Sequence, residues 1–166
     1  KLIGKRWIVS CRKLSFESYV TEESNIDQTT YEDTLTVYYD EKCTQPSHYY
    51  RGTGDIVKIS NSENRENVFE LDIVIQRHFS TPLSDARVAE LNNDDSNIFN
   101  DWQLNVEKEL TDTQYYSAAE DNNLLKSGIS FYTTVVLSDD KLFFVYKDGI
   151  ENTGATKEKR VLESDL

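Results

Sequence analysis

The chain has 166 residues, of which 37% are hydrophobic and 11% aromatic, and it carries a formal net charge of −12. That length suits one domain with a single core, and so much apolar and aromatic surface argues against a disordered chain. The charge repels phosphate backbones and anionic bilayers, which excludes nucleic acid and leaves a solvated acidic surface or a basic partner.

The first strand is expected from Lys5 to about Phe16, where Trp7, Val9 and Cys11 fall on one face. A weaker strand is expected from Glu17 to Ile26. In "TYEDTLTVYY" the residues Leu35, Val37 and Tyr39 alternate with Thr34, Thr36 and Tyr38. "HYYRGTGDIVKIS" reads as another strand, and Gly52 and Gly54 inside it mark a bend, a bulge or a close backbone approach. "VFELDIVIQ" alternates most cleanly, with Phe69, Leu71, Ile73 and Ile75 against Glu70, Asp72 and Gln76.

One segment breaks the rhythm. "STPLSDARVAELNNDD" has Ser84 as an N-cap, Asp85 in the first turn and Asn92-Asn93 as a stop, which predicts a short helix. Period-two alternation then resumes in "WQLNVEKEL", with Trp102, Leu104, Val106 and Leu110 on one face. The last pair of strands is expected as a hairpin turning at Ser138-Asp139-Asp140. Its first arm aligns Ile129, Phe131, Val135 and Leu137, and its second Leu142, Phe144 and Tyr146.

Regularly spaced amphipathic strands with one short helix predict an all-β, eight-stranded antiparallel up-and-down barrel occupying residues 1–166 as one domain. Closure removes the sheet edges that so many strands would otherwise expose. No apolar run reaches the length of a membrane span. A start at Lys1 and the absence of Met mark a processed or excised chain.

The two cysteines, Cys11 and Cys43, form no C-x-x-C pair, and the two histidines, His48 and His78, are too scattered for a zinc site. Nothing in the spacing brings a histidine to either cysteine as a nucleophile pair. A disulfide fits better if the first strand pairs near the turn after "TVYYDEK". It would contribute roughly 3 kcal/mol and place the protein in an oxidising compartment.

The motifs also resemble a family of bacterial exported proteins with a lipocalin-like (calycin) fold. The pattern "L-x-G-x-W-x-x-x-C" is matched by Leu2, Gly4, Trp7 and Cys11, with one residue more between Gly4 and Trp7. "C-T-x-P" is matched by Cys43, Thr44 and Pro46, and "D-W-x-L-N-V-x-K" by Asp101, Trp102, Leu104, Asn105, Val106 and Lys108. Leu142, Phe144, Gly154, Ala155, Thr156 and Arg160 match the end of the pattern with looser spacing. The resemblance implies a closed antiparallel barrel with Trp7 across one end, and export to the periplasm, the cell surface or the medium.

The expected site is the inward face. Leu35, Val37, Tyr39, Phe69, Leu71, Ile73, Leu104, Val106, Phe131 and Phe144 either fill the barrel as core or line a pocket for one small hydrophobic ligand. Gly52 and Gly54 are the positions expected to leave room. Lys108 continues the Trp102 face, where it could receive the carboxylate of a fatty-acid-like ligand, with Arg51 as the other candidate cation; a bulge near Glu107 would send Lys108 to solvent instead. The acidic pairs Glu22-Glu23, Asp94-Asp95 and Asp139-Asp140 read as solvated turns, and "NNDDSN" lacks the ligand ladder of a calcium loop. No cofactor or metal is called for, and no serine sits in a G-x-S-x-G context, so the reading is a non-enzymatic binding protein. The alternative is a protein-interaction module that meets a basic or host protein through acidic and Tyr-rich loops.

Overall fold

Strands that are dry on one face only must share a sheet that curls around that face. The computed structural model describes residues 2–15, 18–61, 65–95, 99–113, 126–138 and 141–144. The elements are β1 (Lys5–Ser15), β2 (Ser18–Ile26), β3 (Thr30–Tyr38), β4 (Pro46–Asn61), β5 (Val68–Pro82), α1 (Asp85–Asn93), β6 (Lys108–Glu109), β7 (Ser130–Ser138) and β8 (Lys141–Phe144). All pairings are antiparallel, in the order β1-β2-β3-β4-β5-β7-β8, with β6 added to β5. On the side away from β4, the long β5 serves two partners: Val68 to Val74 pair with β7, while Phe79 and Ser80 pair with β6. β1 and β8 approach one another, yet no ladder joins them among the described residues. The fold is thus an all-β antiparallel meander with one short helix, and among the described residues its sheet is open at that seam.

Register decides which side chains face inward. Val20, Glu22, Ser24 and Ile26 of β2 are buried at every second position. Across the ladders they stand beside Val37, Leu35, Asp33 and Tyr31 of β3, which in turn face His48, Tyr50, Gly52 and Gly54 of β4. One apolar cluster fills the end nearest Trp7, with Leu2, Ile26, Tyr31, Ile56, Phe69, Leu71, Ile73, Ile75, Val135 and Leu142. Leu71 and Ile73 are completely buried there, each contributing about 1.5–3 kcal/mol relative to exposure. The indole of Trp7 donates to the Leu2 carbonyl at 3.2 Å, which satisfies its one polar atom.

Register slips shape the wall, and two of them decide which residues face inward near the cysteines and the glycines. Between Val9 and Arg12 the β1 register slips, so Val9 faces Glu22 but Arg12, not Cys11, stands opposite Val20. An extra residue reverses the alternation. Trp7 and Cys11 therefore do not share a face: Trp7 is buried and Cys11 lies exposed at the bulge, bonded to Cys43 across 5.9 Å between Cα atoms. The second lies opposite Thr53 and Gly54 of β4, where Gln76 is the extra residue on β5. A Cβ on Gly54 would lie 2.8 Å from the Val74 carbonyl oxygen and 2.9 Å from Ile73 Cγ2. Gly54 thus permits close backbone approach at a bend rather than opening interior space, and Gly52 is covered by the His78 ring at 3.7 Å.

The predicted helix is present. Ser84 caps it by accepting from the Arg87 amide at 3.1 Å, Asp85 occupies its first turn, and it ends at Asn93. The predicted strand over "WQLNVEKEL" is not: Leu104 and Asn105 form a turn, and only Lys108–Glu109 pair with β5. Asn105 takes φ 60°, a left-handed conformation that ends extended backbone. This strap and α1 bury a second cluster of Leu91, Trp102 and Leu110, packed against Tyr50 and Phe99. The Asn92 carboxamide joins the two, accepting from the Trp102 amide at 2.8 Å and donating to its carbonyl at 3.0 Å. Asn92→Ala is expected to cost about 2 kcal/mol, because both Trp102 backbone groups lose their partner. Urea unfolding measures this, and a midpoint equal to the parent's would contradict it.

Candidate binding site

The expected ligand-lining residues fall into four groups. Phe69, Leu71 and Ile73 are buried and packed into the Trp7 cluster, with Phe131 partly buried against it. Val37 is buried on the inner face, and Leu35 is partly buried beside it. Tyr39 lies just past β3 and is 42% exposed; its hydroxyl is 3.5 Å from Ser84 Oγ. Leu104 and Val106 are corrections: they are 41% and 44% exposed, because the turn at Asn105 takes them off the sheet. The backbone of Phe144 pairs with Val135, and its side chain lies outside the described residues, as do Tyr146, the Asp139-Asp140 turn and the motif from Gly154 to Arg160.

Neither candidate cation awaits a ligand's carboxylate. Arg51 lies on the outer face, its guanidinium 4.0 Å above the Phe79 ring. It donates to Glu107 through Nε at 3.1 Å and Nη2 at 2.8 Å, with Glu32 at 3.5 Å. Arg77 covers Phe79 at 4.7 Å and holds Glu109 in the same two-pronged way, at 2.9 and 2.6 Å. These forks clamp the strap onto the sheet. Arg77's hydrogen bonds hold the Glu109 carboxyl down at about 2. Lys108 turns toward the second cluster, its ammonium 5.1 Å from the Phe99 ring and 5.4 Å from that of Trp102, and it pairs with Asp101.

Between the two apolar clusters the inner face is polar. Glu22 is only 8% exposed, which corrects the reading of Glu22-Glu23 as a solvated turn. It accepts from Arg12 at 2.9 Å, and Ser24 donates to Asp33 at 2.7 Å. His48 packs edge-on against Tyr50 at 4.6 Å, and burial, then the charge of Arg87, pulls it down to about 4.

A concavity lies at the rim of the sheet where β2 turns into β3, beside Gly54 of β4, and both inward (Ile26, Tyr31) and outward (Asn25, Glu32) positions line it. It is a groove of about 630 Å³ lined by Gly4, Lys5, Arg6, Asn25, Ile26, Asp27, Thr30, Tyr31, Glu32, Thr53, Gly54, Asp55 and Gln76. The strand starts of β1 and β3, the end of β2 and the middle of β4 converge there. Arg6 is paired with Glu23, and Gln76 donates to Asp55 at 2.7 Å. Two cations stand among three carboxylates, and amides and hydroxyls supply the rest of the polar lining. Such a surface can both donate to and accept from a polar guest, and its exposed lining is apolar and polar in comparable measure. Sequence alternation places Asn25, Glu32 and Gln76 on wet faces; only the bend gathers them. Among the described residues no cluster of three or more histidine, cysteine or acidic side chains is placed to hold a metal ion, and no helix is long and apolar enough to cross a membrane.

Neither a family model nor a curated protein matches the chain.

Proposed function

We propose that the chain is the non-enzymatic binding domain of an exported, lipocalin-like protein, and that its ligand is a hydroxyl-rich molecule such as a saccharide. The observation that carries the ligand class is the groove beside Gly54, whose volume of about 630 Å³ suits a small ligand and whose lining sets carboxamide, hydroxyl and charged groups beside the Tyr31 ring and Ile26, a mixture that suits the polar edges and apolar faces of a sugar. The proximity of β1 and β8 supports closure of the sheet into a barrel, and the Cys11–Cys43 bond supports export. A small hydrophobic guest inside has less support, since Phe69, Leu71 and Ile73 pack against one another and their neighbours as core.

The test titrates a panel of oligosaccharides, and in parallel fatty acids, into the protein while following the amide resonances of Asn25, Thr53 and Gln76. Saccharide-dependent shifts, weakened at least about tenfold by Asn25→Ala or Gln76→Ala, are expected from losing one or two polar contacts. Fatty-acid uptake without any saccharide response would replace this reading with the interior one.

A second reading, a protein-interaction face, is favoured by exposed Tyr39, Leu104 and Val106. Their neighbourhood is tied together at the end of β5, where Tyr39 approaches Ser84 and Asn105 donates to the Pro82 carbonyl at 2.9 Å. With a net charge of −12, capture of a basic partner there would weaken as salt rises.

A further inference from the structure

The inner faces of β2 and β3 bring two carboxylates into one patch. Glu22 stands opposite Leu35, and Asp33 opposite Ser24, so Glu22 and Asp33 are diagonal neighbours on the same side of the sheet. Diagonal neighbours lie about 7–8 Å apart at Cα, within reach of each other's charge. Ser24, 2% exposed, fixes Asp33 by its 2.7 Å hydrogen bond, and Arg12 meets Glu22 at 2.9 Å from a side chain that is 41% exposed. Two acids thus face the interior, with the guanidinium held on one of them.

The other titratable groups on this inner face are few. From β1 they are Arg12 and, at the strand start, Lys5, which covers the Trp7 ring at 5.3 Å. β3 adds Tyr31, β4 adds His48 and Tyr50, and β5 adds His78, beside Gly52. On β7 the inward positions Phe131, Thr133 and Val135 carry no charge.

We propose that the Glu22–Ser24–Asp33 patch is a proton-operated latch: a proton held on the Asp33 carboxyl beside Glu22 keeps β2 and β3 closed over the interior, and losing it loosens that wall of the sheet. The second negative charge would otherwise sit beside the first in a medium that solvates both poorly. Burial first, and the charge of Glu22 second, push the Asp33 carboxyl up to about 7, against hydrogen bonds that favour its ionised form. An unfolded chain releases the same proton near pH 4. Between these values the folded protein holds a proton that the unfolded one has lost. The latch's contribution is therefore complete below about pH 4, is lost as pH rises toward 7, and stays lost above it. The same two strands carry Asn25 and Glu32 on their outer side, so the latch backs the groove without depending on any ligand there.

The test compares urea unfolding of the parent and Asp33→Asn from pH 4 to pH 8. The parent's folded-to-unfolded ratio is expected to fall relative to the variant's by up to about tenfold per pH unit across this window. Carboxyl carbon NMR of the unmutated protein should show Asp33 titrating near pH 7, and Glu22→Gln should move that midpoint down by removing the neighbouring charge. Amide exchange along β2 and β3 should quicken above pH 7 in the parent relative to Asp33→Asn. An Asp33 midpoint below pH 5, or parallel stability profiles for parent and variant, would overturn the latch. If Asp33→Asn does not fold, the carbon titration and Glu22→Gln decide the matter.

Discussion

Replacing both Cys11 and Cys43 with serine is expected to lower stability by about 3–4 kcal/mol, the entropy returned to an unfolded chain when a loop of this length is opened. The bond spans 32 residues and ties the β1 bulge to the loop that follows β3. That loop is already organised without it. Asp40 accepts from the Thr44 and Gln45 amides at 2.9 and 2.7 Å and from the Thr44 hydroxyl at 2.8 Å. The double variant should therefore keep the fold, since the Trp7 cluster does not include either cysteine. Urea titration of the double-serine variant against the parent measures the loss. A thiol titration of the unfolded, unreduced parent should find no free cysteine. Two free thiols would remove both the staple and the support it lends to export.

Gly54→Val is expected to cost about 3 kcal/mol, the upper range for forcing atoms into a filled site. The new Cβ meets backbone as well as a side chain, for the Val74 carbonyl lies 2.8 Å from it and cannot rotate away. Relief requires β4 and β5 to separate at the bulge. Because Thr53, Gly54 and Asp55 form one side of the groove there, the variant should lose groove binding more severely than its residual fold would suggest. Gly52→Ala is the control: its Cβ would meet the His78 ring at 3.7 Å, an ordinary contact, so the change should stay within about 1 kcal/mol. Equal losses at the two glycines, read from thermal or urea unfolding, would refute the steric account.

Much of the fold was legible in the residues. "VFELDIVIQ" announced the buried row Phe69, Leu71, Ile73 and Ile75, because a strand with one dry face writes that face at every second position. Ser84 and Asp85 announced the helix start through the chemistry of an open helix end. The candidate site was barely legible. Gly54 signalled a bend, but a bend does not name the side chains that it gathers. Asn25, Glu32 and Gln76 come from three strands, and as polar residues on wet faces they resemble any others.

The misplaced residues share a cause. Alternation assigns faces only while the register runs unbroken. The slip at β1 exchanged Cys11 for Arg12 on the inner face. The left-handed Asn105 carried Leu104 and Val106 out to solvent, although their spacing matched that of buried neighbours. Arg51 lies beside Phe79 on the outer face, where Glu107 from the strap meets it. The sequence by itself determined an antiparallel β fold, its main apolar rows, one helix and a cysteine pair, since these follow from local periodicity and residue chemistry. Only the tertiary structure decided that Glu22 and Asp33 share the interior and that the groove opens at Gly54. The first depends on which face of the β2–β3 hairpin the sheet turns inward, and the second on register between strands, which a single inserted residue shifts without leaving a local trace.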